Sequence, residues 1–160
     1  MSLLPFGSGR FAPAMAAALR RAVPDAKRVI AIGDGLGRAL EKAGLPVLAV
    51  SPKPRRRRKP VAQVAGEPGR LPLADGCADA AFASAVPAPA ERIAALREVC
   101  RVVRNGGVLG IGIAGRWWRA SSAEALSAAL LHAGVVEIEQ SRVAGGLLTL
   151  GSARHFGARD

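Results

Sequence analysis

The hydrophobic positions of the chain form short apolar runs that alternate with stretches of helical periodicity. The short runs predict seven strands, at residues 28–33, 46–51, 61–66, 78–84, 108–115, 135–143 and 147–153. Helical spacing, bounded by proline, glycine and capping signals, predicts four helices, at residues 12–22, 38–44, 89–104 and 121–134. Because strands and helices alternate until a final pair of strands, the order predicts an α/β sheet with helices on both faces.

The helix predicted over residues 89–104 has the most regular pattern. Its apolar residues recur at i, i+3, i+7 and i+10, which predicts one buried stripe. These residues are Ile93, Leu96, Cys100 and Val103. The polar residues of the segment are then expected on the solvent side, and they are Arg92, Arg97, Glu98, Arg101 and Arg104. The following Asn-Gly-Gly, residues 105–107, is expected to end the helix.

Length and cysteine content limit the number of domains and the cellular compartment that the sequence predicts. A chain of 160 residues predicts a single domain, residues 1–160, with an N-terminal helical segment at 1–24 and a loop at 52–60. No apolar run approaches the length of about 18 residues that a membrane span needs, and the start lacks signal-peptide features. The two isolated cysteines, Cys77 and Cys100, are expected to be buried, reduced thiols. These features predict a cytoplasmic protein, and the high content of Ala, Arg, Gly and Pro favours a bacterial source.

The positive charge of the chain is concentrated in the loop at 52–60. The net charge is +11, and six cations lie within seven residues: Lys53, Arg55, Arg56, Arg57, Arg58 and Lys59. Concentrated cations predict an anionic partner, which could be nucleic acid, an acidic protein or an acidic lipid surface. The alternative is a solvated loop without a partner, as is common for runs of like charge.

Two adjacent tryptophans, Trp117 and Trp118, lie between arginines just after the strand predicted at 108–115. Stacking on bases or anchoring at a lipid interface would make them part of the same partner surface as the basic loop. Packing against the last predicted helix is the alternative.

Three segments of the sequence resemble one family. "RVIAIGDGLGRAL" (28–40), "GEPGRLPLADGCADAAFAS" (66–84) and "ERIAALREVCRVVRNGGVLGIGIAG" (91–115) are similar, in order and spacing, to class I S-adenosylmethionine-dependent methyltransferases of type 11. The resemblance covers roughly residues 28 to 155. It implies a Rossmann-like sheet of seven strands, mostly parallel with an antiparallel C-terminal hairpin. It also implies a cofactor pocket at the carboxyl ends of strands one to four, where open α/β sheets bind their ligands.

The glycine-rich turn after the first predicted strand contains Gly33, Gly35 and Gly37. Glycine permits both a tight turn and the close approach of a ligand to the backbone. Arg38 replaces the third glycine of the dinucleotide-binding pattern, which disfavours a nicotinamide or flavin cofactor. A plain turn without a ligand is the alternative.

The resemblance implies a set of cofactor-binding residues and also shows where this chain departs from the family. The implied set is Gly33, Asp34, Gly35, Gly37, Ser51, Glu67 and Ser84. The family usually has an acid at the position of Ala31, and another acid, which binds the ribose hydroxyls, at the position of Ser51. No Asp or Glu occurs between Glu41 and Glu67. These departures predict weak or absent binding of S-adenosylmethionine.

No catalytic residue and no metal site is predicted. The segment after the fourth predicted strand, "SAVPAPAER" (84–92), has no histidine, tyrosine or acid before Glu91 that could act as a base. We expect Asp75 and Asp79 to shape the turn before that strand, and we assign no catalytic role to His132 or His155.

Two hypotheses for the function follow. In the first, a methyltransferase fold with an impaired cofactor site is a binding or regulatory module that holds an anionic partner through the basic loop. In the second, the protein is an active S-adenosylmethionine-dependent methyltransferase of an acidic or nucleic-acid substrate. Methyl transfer can proceed largely by positioning, so the lack of a base leaves the second hypothesis open.

Overall fold

A computed structural model describes residues 11–32, 36–51, 62–67, 69–84, 89–113 and 120–155, without the side chains of residues 89 and 120–122. Several predicted features lie outside these residues. They are Gly33, Asp34 and Gly35 of the glycine turn, the basic loop at 52–60, and the pair Trp117 and Trp118.

The described residues form four helices and seven strands. In chain order these are α1 (Phe11–Ala22), β1 (Val29–Ile32), α2 (Leu36–Lys42), β2 (Val47–Ser51), β3 (Ala62–Ala65), β4 (Ala78–Ala83), α3 (Pro89–Val102), β5 (Val103–Ile113), α4 (Ala120–Ala133), β6 (Val135–Val143) and β7 (Gly146–Ala153). The strands form one sheet in the order β3-β2-β1-β4-β5-β7-β6. Strands β1 to β5 pair in parallel, whereas β7 is antiparallel to both β5 and β6. The predicted seven-stranded, mostly parallel sheet with a C-terminal hairpin is therefore confirmed.

Two hydrophobic cores cover the two faces of the sheet. Side chains of β1 alternate between them: Ile30 and Ile32 pack with α3 and α4, whereas Val29 and Ala31 pack with α1 and α2. This alternation follows from the two-residue period of a strand. The predicted placement of helices on both faces is confirmed.

Helix α1 packs closely against two glycines near the end of the sheet. Phe11 and Met15 are fully buried. A side chain at Gly112 of β5 would overlap Met15, and one at Gly146 of β7 would overlap the ring of Phe11, whose Cδ2 lies 2.6 Å from the position of the missing Cβ. Because neither glycine has a side chain, α1 can lie directly on β5 and β7.

The predicted end of α3 was wrong. The helix ends at Val102, and Val103 already belongs to β5. Pairing shifts from Ala78↔Val103 to Ala80↔Val108, so residues 104–107 form a bulge in the strand rather than the end of a helix.

The predicted apolar stripe of α3 was also wrong at Ile93, which is 37% exposed. The buried face is centred on Ala95, Leu96 and Val99, and at 100° per residue this places Ile93 at its margin. Of the two cysteines, Cys100 is buried as predicted, but Cys77 is only half-buried. No helix among the described residues is long and apolar enough to cross a membrane.

Candidate functional site

The carboxyl ends of β1, β2, β3 and β4 lie side by side at one edge of the sheet. Ile32, the last residue of β1, is paired with Val50 of β2 and with Ala83 of β4. The Ser84 amide donates to the carbonyl of Ile32 at 3.2 Å, and the Gly66 amide donates to the carbonyl of Ser51 at 3.1 Å. This edge is the location that the general rule for open α/β sheets predicts for a ligand.

Four of the seven predicted cofactor-binding residues are among the described residues. Ser51, Glu67 and Ser84 lie at this edge, at the end of β2, just after β3 and just after β4. Since β1 lies between β2 and β4, Ser51 and Ser84 are separated by two strand spacings, about 10 Å. That spacing is suited to two parts of one extended ligand rather than to a single atom.

Gly37 lies in the first turn of α2 and is buried against the sheet. A Cβ at this position would lie 3.2 Å from the Cβ of Ala49 and 3.7 Å from the Cβ of Ala31. The missing side chain therefore lets α2 pack closely on β1 and β2. The structure gives Gly37 a packing role, and its contact with a cofactor stays a prediction.

Ala31, at the position where the resemblance implies an acid, is completely buried. It lies in the core beneath α1 and α2, with Leu36 and Leu40 in the same cluster. A carboxylate in these apolar surroundings would lose its hydration without gaining a charged partner. Ala31 therefore belongs to the hydrophobic core of this protein.

Ser51 is half-buried at the end of β2, between β1 and β3. Its neighbour Val50 faces the core beneath α3 and α4, so the Ser51 side chain lies on the α2 side of the sheet. A hydroxyl offers one donor and two lone pairs, whereas a carboxylate accepts two hydrogen bonds from a diol with a full negative charge. At the end of β2 this chain therefore has a neutral hydroxyl where the resemblance implies a charged acceptor.

The connection from β3 to β4 is held on α3 by a charged cluster, to which we refer as the Arg101 clamp. It consists of Glu98 and Arg101 of α3 and Asp75 of the connection. Arg101 Nε donates to Glu98 Oε2 at 2.8 Å, and Arg101 Nη2 donates to Glu98 Oε1 at 2.7 Å. Arg101 Nη1 donates to Asp75 Oδ1 at 2.5 Å and to the carbonyl of Leu73 at 2.9 Å. Arg101 Nη2 also donates to the carbonyl of Leu71 at 3.2 Å.

Two further hydrogen bonds complete the attachment of this connection. Glu98 Oε1 accepts from the Leu71 amide at 2.9 Å, and the Arg101 carbonyl accepts from the Gly76 amide at 2.9 Å. The hydrogen bond from Arg101 lowers the pKa of Glu98, and that from Glu98 raises the pKa of Arg101. Both groups therefore stay ionised at neutral pH.

The clamp corrects the prediction that all polar residues of α3 face solvent. The side chains of Glu98 and Arg101 are only 18% and 32% exposed. A Glu and an Arg at positions i and i+3 were the signal in the sequence, but their partners in the β3–β4 connection could be identified only in the fold.

Asp79 lies at the opposite edge of the sheet and has a structural role. Its Oδ2 accepts from the amides of Lys27 at 2.7 Å and Arg28 at 3.0 Å, and its Oδ1 accepts from Arg104 Nε at 3.1 Å. These bonds join β4 to the start of β1 and to the bulge of β5. The hydrogen bond from the Lys27 amide lowers the pKa of Asp79. The Arg28 amide and the Arg104 side chain act in the same direction.

Neither histidine lies at the carboxyl edge. His132 is exposed near the end of α4. His155 Nε2 lies 2.8 Å from the carbonyl of Cys100, and the His155 amide donates to Asn105 Oδ1 at 3.1 Å, beside the end of α3. These contacts attach the segment after β7 to the amino edge of the sheet.

Comparison with known proteins gives a family match and several structural matches. A family model described as a methyltransferase domain matches residues 6–111. No curated protein matches the chain at a significant level.

Solved structures with similar folds cover most of this chain. One is a methyltransferase from Thermotoga maritima, described as a possible histamine N-methyltransferase, with a TM-score of 0.69, 19% identity and 89% of each chain covered. Another is an amino pentose methyltransferase from Micromonospora echinaspora, with a TM-score of 0.70, 19% identity and 92% of each chain covered. A third is 1,6-didemethyltoxoflavin-N1-methyltransferase from Burkholderia thailandensis, with a TM-score of 0.68, 18% identity and coverage of 92% of this chain and 80% of that one. At these identities the similarity shows the fold alone.

Proposed function

This chain belongs to the family of methyltransferase domains and has the class I fold, and from that premise we propose that it is a binding or regulatory module with a weakened S-adenosylmethionine site. In this proposal the basic loop holds an anionic partner at the same edge of the sheet. The observation that carries the proposal is Ser51, a half-buried hydroxyl at the end of β2.

The energetic argument concerns the ribose of the cofactor. A hydrogen bond to a charged acceptor contributes about 1.5–3 kcal/mol, which corresponds to about tenfold to more than a hundredfold in affinity. With Ser51 at the end of β2 and Ala31 within the core, two acidic contacts of the family are replaced by a neutral group and an apolar one. Glu67 is exposed beside this edge and offers only a partial substitute.

The sequence that follows Ser51 supports the second part of the proposal. Lys53 is two residues beyond the end of β2, and five more cations follow by Lys59. Positive charge near the mouth of the site disfavours a sulfonium cation and favours an anion. Trp117 and Trp118 are proposed to contribute to the same partner surface by stacking.

An active methyltransferase is the second candidate function. It is favoured by the complete order of seven strands and by the close packing of α2 at Gly37, which preserve the frame of a cofactor site. Similar folds have been solved with S-adenosylmethionine or S-adenosylhomocysteine bound. In this candidate function the basic loop would bind an acidic or nucleic-acid substrate.

Calorimetric titration with S-adenosylmethionine and S-adenosylhomocysteine discriminates between the two functions. We expect dissociation constants well above about 10 μM for both ligands. Tighter binding would contradict the weakened site and favour the active enzyme.

A further inference from the structure

We propose that Glu98 and Arg101 are positioning residues for a ligand at the carboxyl edge, because they set the path of the β3–β4 connection and hence the place of Glu67 beside β2. This inference rests on the part of the proposed function that places a ligand, strongly or weakly bound, at this edge. It assigns a role to side chains that lie on α3, away from the ends of the strands.

The first step of the argument is that the Arg101 guanidinium has no hydrogen-bonding capacity left. A guanidinium has five N–H donors. The structure shows five hydrogen bonds from Arg101, to both oxygens of Glu98, to Asp75 and to the carbonyls of Leu71 and Leu73. Because the planar group binds acceptors on both α3 and the connection, it fixes the two segments relative to each other.

The second step leads from the clamp to the end of β2. Pro72 lies between the two residues whose carbonyls Arg101 binds. A Cβ at Gly66 would lie 2.7 Å from Pro72 Cδ and 3.1 Å from Val50 Cγ1, so Pro72 packs directly on Gly66. The Gly66 amide in turn donates to the carbonyl of Ser51. The clamp and the end of β2 are therefore joined by consecutive contacts.

The third step concerns Glu67, the residue that follows Gly66. Its carbonyl accepts from the Arg70 amide at 3.0 Å, and the two residues form an isolated antiparallel bridge. Arg70 directly precedes Leu71, whose amide is bound by Glu98. The backbone of Glu67 is thus fixed on both sides, by the hydrogen bond of the preceding Gly66 to Ser51 of β2 and by the bridge to Arg70 next to the clamp. The Glu67 side chain stays exposed at the carboxyl edge.

The alternative is that the clamp stabilises the fold without influencing a ligand. The two roles differ in what a conservative substitution changes. A stabilising role lowers the melting temperature and leaves ligand affinity alone, whereas a positioning role lowers affinity at temperatures where the protein is fully folded.

The test uses Arg101→Lys, which keeps the charge but removes the planar fork, and Arg97→Lys on the exposed side of α3 as the matched control. Amide hydrogen exchange and ¹H–¹⁵N spectra are measured on the full chain during titration with S-adenosylhomocysteine. For Arg101→Lys we expect exchange at Leu71 and Gly76 to rise at least about tenfold, and the affinity for S-adenosylhomocysteine to fall about threefold to tenfold. For Arg97→Lys we expect no change.

A second variant tests the contact between Pro72 and Gly66 and leaves the side chains of the clamp unchanged. Gly66→Ala places a methyl group against the rigid ring of Pro72 and is expected to lower affinity to a similar extent while the hydrogen bonds of Arg101 persist. This variant also keeps the test decisive if Arg101→Lys does not fold.

Three results would overturn the inference: unchanged exchange at Leu71 and Gly76 in Arg101→Lys, changed exchange with unchanged affinity, or no spectral perturbation of Gly66 and Glu67 by the ligand in the parent protein. The proposed function fails on a different measurement. Tight binding in the parent would contradict the weakened site and leave the positioning role intact.

Discussion

Glu98 and Arg101 lie one turn apart on α3 and share two hydrogen bonds, of 2.8 and 2.7 Å, that together form a bidentate ion pair. The pair also binds the backbone of the β3–β4 connection at Leu71 and Leu73. The protonation of Glu98 is therefore linked to the order of the β3–β4 connection, which borders the candidate site.

The first prediction is that the connection loosens in acid. The hydrogen bond from Arg101 lowers the pKa of Glu98 below that of an unfolded glutamate, about 4.3. Glu98 therefore contributes stability above that pH, and the contribution is lost as the pH falls through the lowered folded-state pKa. We expect the exchange rate at Leu71, corrected for the intrinsic effect of pH, to rise below about pH 4.

Two variants control this acid effect. In Glu98→Gln the loosening is expected already at neutral pH, with little further change in acid. In Glu41→Gln, on the exposed end of α2, the profile of the parent is expected. Identical profiles for the parent and Glu98→Gln would show that another group, such as Asp79, controls the acid response.

The second prediction is a gain of cofactor binding. Ser51→Asp places a carboxylate at the end of β2, and we expect it to strengthen S-adenosylhomocysteine binding by about tenfold or more. Ser51→Asn, of equal size but neutral, is the control and is expected to have a much smaller effect. Calorimetry measures both variants, and equal affinities for Asp and Asn would mean that charge at this position does not limit the site.

The third prediction concerns the basic loop and nucleic acid. If six cations of the loop neutralise phosphates, the slope of log K against log salt on duplex DNA is roughly −5, because each phosphate contact contributes about −0.9. Replacing Arg55 to Arg58 by alanine is expected to reduce that slope by about 3 to 4 units.

A variant with four other cations replaced by alanine controls for net charge. Those cations are exposed and lie on the helices or at the amino edge: Arg21, Lys42, Arg97 and Arg154. We expect its slope to remain near that of the parent. Sedimentation with anionic liposomes, run in parallel, separates a nucleic-acid partner from a lipid surface, and unaltered binding of both by the loop variant would exclude the loop as the binding element.

The fourth prediction is that the family's first acid cannot be restored in this protein. Ala31→Asp buries a carboxylate between α2 and the sheet, and we expect it to lower the free energy of unfolding by about 3 kcal/mol or more. Ala62→Asp, at an exposed position of the edge strand β3, is the control and is expected to change it by less than about 0.5 kcal/mol. Urea denaturation measures both, and a stable Ala31→Asp variant would show that this part of the core has room and a partner for an acid.

Most of the fold could be predicted because its signals are local. Short apolar runs such as Val29–Ile32, and glycines such as Gly44 and Gly134 with φ of 87° and 97°, mark strands and helix ends without any long-range information. The error at Val103 has a physical cause, since an apolar residue after a helix fits its stripe as well as it fits the start of a strand. Only pairing with Ala78 assigns Val103 to β5.

The site was less predictable because its residues act through contacts between distant segments. Ser51 and Glu67 could be located from their places after strands, but the packing role of Gly37 depends on Ala49 of the next strand. In the same way, Arg101 appears in the sequence as one more polar residue of a helix. Its hydrogen bonds to Leu71 and Leu73 depend on a turn 30 residues away in the chain.

The packing of Phe11 on Gly146 has a consequence for the synthesis of the protein. One of the first described residues completes its contacts only on β7, which is also the strand that covers the edge of β5. In a nascent chain that ends before β7, the apolar face of α1 lacks its contact with β7, and β5 has an unpaired edge. Both surfaces can associate with other chains. We therefore expect the domain to complete its native structure only after the final hairpin has left the ribosome.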